Sequence, residues 1–221
     1  MRAIVLGLPG SGTSYITSVM REAGWKVPCP YVASRSYPTH EILWLREVNE
    51  RALRGWRPSR FSPRARVDGS KERVIDARIA IQKADARCAR WVFKNPESVV
   101  TWEKIWSRFR WDLIVGVYRH PIGTIDSIHR DHLPESVHER PSCDLELAWS
   151  HWNERILDVA DVLVRFPDAS GLARRLGLAR TPDPLDDLIT NAVDGPVPAW
   201  SQNLWVRLEG ARCASTTAAR T

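Results

Sequence analysis

Long apolar runs are missing from this 221-residue chain. No stretch approaches the about 20 residues that cross a bilayer as a helix, so no membrane span is expected. The first strand-like stretch begins almost at the N-terminus and leaves no room for a signal peptide, which makes a cytoplasmic location the default expectation. Cysteine is sparse: Cys29, Cys88, Cys143 and Cys213 are scattered and form no C-x-x-C pair. That spacing argues for reduced thiols and against a disulfide framework or a zinc site. No other cluster of metal ligands stands out, and no metal is expected. Arginine and lysine exceed the acidic residues by a formal charge of +6. They nevertheless build no basic helix and no aromatic–basic RNA-binding pattern. The excess therefore points to a small phosphate-bearing partner such as a nucleotide cofactor, with no nucleic acid.

What is present is the composition of a globular domain, 43% apolar and 26% charged. The length fits one domain over residues 1–210, followed by a flexible tail at 211–221. Eleven tryptophans are many for this length, and core or pocket wall is their expected place. Short apolar runs alternate with helical patterns. Strands are expected at residues 3–6, 91–93, 113–118 and 162–166. Helices are expected from Gly12 to Ala23, from Thr39 or His40 to Arg54, over 74–87, over 97–108, after Pro121, from Leu145 to Ala160 and through Leu172 to Leu178. Residues 55–73, rich in Arg, Gly, Pro and Ser, read as a mobile basic loop placed to cover a site. The fold class that follows is α/β, a three-layer sandwich around a mainly parallel sheet, like that of the P-loop NTPases. In such sheets ligands bind beyond the carboxyl ends of the strands. Three segments are then expected on one rim: Gly7 to Ser14, Lys94-Asn95-Pro96 and Arg119-His120-Pro121.

The first of these segments carries the most information. Ala3-Ile4-Val5-Leu6 runs into Gly7-Leu8-Pro9-Gly10-Ser11-Gly12-Thr13-Ser14, and Tyr15, Ile16, Val19 and Met20 follow at helical spacing. Strand, glycine-rich loop and helix together make an anion cradle, because loop amides converge where the helix presents its unpaired N–H groups and positive dipole end. Gly7, Gly12 and Ser14 match fixed positions of the Walker A pattern, but Thr13 stands at its lysine position. A nucleoside-triphosphate enzyme uses that lysine to neutralise the transferring phosphates.

Taken with Tyr118-Arg119-His120-Pro121-Ile122-Gly123-Thr124-Ile125-Asp126-Ser127, the loop resembles those of the PAPS-dependent sulfotransferases. That family opens with P-[KR]-S-G-T-[ST] and later places a serine eight positions after the arginine of an R-x-P helix start, the spacing of Arg119, Pro121 and Ser127. Lys94-Asn95-Pro96 looks like the K-[DN]-P segment of its bacterial members. Val164-Arg165-Phe166 and Leu176-Gly177-Leu178 look like their late segments. The resemblance spans roughly residues 2–180.

The resemblance implies a sulfuryl transfer from PAPS, leaving PAP, to a hydroxyl or an amine of a small-molecule or carbohydrate acceptor. By it, Pro9, Gly10, Ser11, Gly12, Thr13 and Ser14 would hold the 5′-phosphosulfate, and Arg119 with Ser127 the 3′-phosphate. The family's loop carries Lys or Arg where this chain has Gly10, so another cation has to serve, and Lys94, at a strand end on the same rim, is the candidate. Glu41, expected in the first turn of the second helix, is the candidate base, with His40 beside it as the second choice. Two other classes stay open on the sequence: a P-loop nucleotide kinase or NTPase that tolerates Thr13, and a nucleotide-binding protein without turnover.

Overall fold

A computed structural model describes residues 1–31, 40–53, 63, 65–132, 143–181 and 196–218. Four strands, β1 (Arg2–Leu6), β4 (Trp91–Lys94), β5 (Leu113–Tyr118) and β6 (Val162–Arg165), form one sheet in the order β4-β1-β5-β6. Every pairing in it is parallel, with Val5 opposite Lys94, Leu6 opposite Gly116 and Tyr118 opposite Arg165. Strands buried on both faces read as unbroken apolar runs, as β1 and β5 do.

Side chains alternate between two cores. Ala3, Val5, Val92, Val115 and Val164 pack with α1 (Thr13–Glu22) and α7 (Ser170–Arg175). Ile4, Leu6, Trp91 and Phe93 pack on the other side with α2 (Leu43–Ala52), α3 (Lys71–Arg87), α4 (Glu97–Thr101) and α6 (Cys143–Val159). The C-terminal helix α8 (Gln202–Ala218) joins that second core through Leu204 and Leu208. Helices thus cover both faces of a parallel sheet, the α/β architecture expected from the sequence. Trp91, Trp102, Trp106, Trp149 and Trp152 are buried in the second core and Trp25 in the first, so these six are core residues.

Several boundaries differ from expectation, each for a local reason. The second helix starts at Leu43 and not at Thr39 or His40. His40 has a left-handed φ of 54°, and Glu41–Ile42 is an extended strand, β3, paired antiparallel with β2 (Pro30–Tyr31). Glu41 therefore lies on a strand, just ahead of the helix and not in its first turn. The third helix starts earlier, at Lys71, because the Ser70 hydroxyl accepts from the Arg73 amide at 3.4 Å. The helix expected over 97–108 breaks into α4 and a 3₁₀ turn at Trp106–Arg108 that turns the Trp106 indole inward. Residues 211–218, read from the sequence as tail, are helical in α8. Of the basic loop expected over 55–73, residues 55–62 and 64 lie outside the described residues, and 71–73 belong to α3.

Candidate functional site

β1 delivers the chain at the centre of the rim, and the glycine-rich loop turns there into α1. Ser11 closes the turn twice over, its amide donating to the Leu8 carbonyl at 3.1 Å and its hydroxyl to the same oxygen at 2.7 Å. Gly10 and Gly12 have φ of 75° and 92°, a region costly for any residue with a Cβ. Space excludes side chains as well: a Cβ on Gly12 would lie 2.2 Å from the Phe166 ring, and one on Gly10 would lie 2.6 Å from Ser127. Gly12, the N-cap of α1, makes no side-chain cap hydrogen bond, and the first turn holds no acidic residue. The first N–H groups of α1 thus retain the capacity to bind an anion. Pro9, Ser11 and Thr13 are buried, whereas Gly10, Gly12 and Ser14 are partly exposed. The Ser11 and Thr13 side chains are thus turned inward, and the exposed part of the loop is at Gly10, Gly12 and Ser14.

Arg119 leaves β5 at Tyr118 and is held from several sides. Its Nη1 donates to the Gly10 carbonyl at 3.1 Å, its guanidinium lies 5.1 Å from the centroid of the Phe166 ring, and its own carbonyl accepts from Trp149 Nε1 at 3.3 Å. Ser127, on α5 (Pro121–His132), packs against the Cα of Gly10 from the other direction. The loop, Arg119 and Ser127 therefore meet at one residue, Gly10. Their meeting comes from three elements converging on a glycine, since Arg119 precedes α5 and shares no helix face with Ser127.

The remaining candidates form a second cluster beside α1. Lys94 ends β4 opposite Val5, on the α1 side of the sheet, and is 4% exposed. Its Nζ lies 3.3 Å from Glu41 Oε1, and Arg46 Nε lies 3.6 Å from the other oxygen of the same carboxylate. Glu41 thus sits between two cations. His40 has its Nε2 2.9 Å from Ser18 Oγ and its Nδ1 3.4 Å from Arg21 Nη1. A guanidinium only donates, so Nδ1 is the acceptor and Nε2 carries the proton given to Ser18. Burial, helped by the nearby Arg21 and Lys94 charges, pushes the His40 pKa down to about 4. His40 is therefore neutral at pH 7 and pins β3 to α1, with both ring nitrogens engaged.

Asn49 sets the position of Lys94. Fully buried on α2, it donates through Nδ2 to Asn95 Oδ1 at 2.6 Å and Ser98 Oγ at 3.0 Å. Its Oδ1 accepts from Thr101 Oγ1 at 2.6 Å and Trp106 Nε1 at 2.8 Å. These bonds tie the turn that follows Lys94 to the helix that follows Glu41. The sequence held a signal for this residue: an asparagine four positions after Leu45, on the apolar stripe of the helix. Phe166, Ser18, Arg21 and Arg46 also escaped the sequence reading of the site.

Compared with protein-family models, with curated proteins and with solved structures, the chain matches none. Its chemistry has to be read from its own residues. Among the described residues no helix is long and apolar enough to cross a membrane, and no group of three His, Cys, Asp or Glu is placed to hold a metal ion.

Proposed function

We propose that this chain is a PAPS-dependent sulfotransferase with a P-loop-like cradle. The observation that carries the reading is the meeting of the loop, Arg119 and Ser127 at Gly10. The cradle suits a nucleotide carrying phosphates at two places: a helix start without a side-chain cap on one side, and a guanidinium with a serine on the other. The partly exposed backbone of Gly10, Gly12 and Ser14 would hold the phosphosulfate end, and Arg119 with Ser127 the 3′-phosphate. PAPS, when bound, supplies the sulfuryl group and leaves as PAP.

The chain's own residues then have two tasks. Glu41 takes the proton from the acceptor hydroxyl or amine, and Lys94 supplies the positive charge that Gly10 does not. The pair at 3.3 Å places the carboxylate and the cation side by side, one for each task. His40, neutral and tied to Ser18 and Arg21, fixes the strand that carries Glu41. The test is incubation with sulfur-labelled PAPS and a panel of hydroxyl and amine acceptors. Transfer that is lost in Glu41→Gln is the expected result. PAPS binding with no transfer to any acceptor would favour a nucleotide-binding protein without turnover, and ATP·Mg²⁺ hydrolysis would favour the kinase class.

A further inference from the structure

Phe166 follows β6 and touches both halves of the cradle. Its ring fills the space where a Cβ on Gly12 would stand, with Cδ2 2.2 Å and Cγ 2.5 Å from that position. It meets Tyr15, in the first turn of α1, edge to face at 5.9 Å between centroids. Its face receives the Arg119 guanidinium at 5.1 Å. The ring is 4% exposed, and the Phe166 amide donates to the Tyr118 carbonyl at 2.9 Å, just before Arg119. One aromatic side chain therefore touches both the N-cap of α1 and the arginine.

We infer that Phe166 is a positioning residue that fixes the spacing between the helix-start amides and the Arg119 guanidinium, so that one ligand with two anionic groups engages both. Its π face attracts the cation and limits the planes the guanidinium can adopt. Its contact with Gly12 sets how far the helix start lies from that plane. An aliphatic side chain of similar volume fills the space but offers the guanidinium no π face, so its plane is less restricted than when the ring and the bond to the Gly10 carbonyl both act on it. This role rests on the proposed nucleotide site, because it needs Arg119 and the amides to share one ligand.

The test is a double-mutant cycle read by titration calorimetry with two probes, PAP and inorganic pyrophosphate. Phe166→Leu is expected to weaken PAP binding about tenfold, the scale of a partly desolvated cation–π contact. Phe166→Tyr, which keeps the π face, is expected to restore most of that loss. In an Arg119→Ala background Phe166→Leu is expected to cost less than about twofold, because the partner it orients is gone. Equal losses in Phe166→Leu with and without Arg119, or equal losses for Leu and Tyr, would overturn the role. Thermal unfolding of each variant accompanies the titrations. Should Phe166→Leu unfold, Phe166→Met takes its place in the same cycle. Binding of pyrophosphate but not PAP would sink the PAPS reading while the cycle on pyrophosphate still decides the role of Phe166. Binding of neither would overturn both.

Discussion

Replacing Asn49 with leucine removes a side chain that makes four hydrogen bonds, and the structure lets the cost be worked out bond by bond. Two of the four partners have a second bond. The Thr101 hydroxyl also reaches the Glu97 carbonyl at 3.1 Å, and Trp106 Nε1 also reaches Thr101 Oγ1 at 2.9 Å. These two lose little. Asn95 Oδ1 and Ser98 Oγ lose the Asn49 donor they share, and both residues are buried, at 2% and 0% exposure. Leaving a buried polar group unsatisfied costs about 1–3 kcal/mol, and leucine is the larger side chain, so no cavity is left and crowding only adds to the loss. The expected loss is therefore about 2–6 kcal/mol, centred near 4, a large share of a typical domain's stability. Urea denaturation followed by circular dichroism measures it: the midpoint falls and the slope stays constant. A loss below about 1 kcal/mol would refute the reasoning, because it would mean that the network holds without its central amide.

Three further outcomes follow from the same geometry. His40 has a folded pKa near 4 against an ordinary value of 6.5. The unfolded chain then binds more protons between those values, so the His40 contribution is complete above about pH 6.5 and is lost as pH falls through about 4, up to roughly 3 kcal/mol in all. His40→Gln should flatten this part of the stability–pH curve, and an unchanged slope would show that another group titrates there. Lys94→Met should lower sulfuryl transfer by about 10²–10³-fold, the cost of losing one charge-stabilising group. PAP affinity, measured by calorimetry, should change far less, and parallel losses in both would make Lys94 a binding residue only. Gly10→Lys, which introduces the lysine carried by the sulfotransferase loop that this one resembles, should fail to raise activity and should lower the melting temperature. The new Cβ would stand 2.6 Å from Ser127 on a backbone with φ of 75°; a more active variant would show that the loop opens to admit it.

Much of the framework was legible because it depends on local pattern. The four strands read as apolar runs, and the rim segments follow from them by topology. Gly12 was readable as a helix end because only a residue without Cβ takes φ of 92° cheaply. What escaped reading depends on contacts between distant residues. Glu41 looked like the first turn of a helix, and only pairing with β2 makes it a strand. The helical end of the chain offered Leu204 and Leu208 as its buried residues, a pattern too thin to see. Its hold on the sheet is tertiary: the Tyr118 hydroxyl donates to Glu209 at 2.8 Å, and Arg212 pairs with Glu209 and Asp168 at 3.0 Å each. In the candidate site, Arg119 and Ser127 could be chosen by spacing, but their meeting at Gly10, and the Phe166 ring against Gly12 and Arg119, belong to the folded chain alone.

The central claim is that the loop, Arg119 and Ser127 make one site for a nucleotide with phosphates at two places. Titration calorimetry of the full-length protein with PAP, beside ATP·Mg²⁺, tests it most directly. PAP is expected to bind, with Arg119→Ala weakening it by about 2–3 kcal/mol, the scale of a lost charged hydrogen bond, and no comparable binding of ATP·Mg²⁺ is expected. Tight binding of ATP·Mg²⁺ with none of PAP, or PAP binding indifferent to Arg119, would contradict it.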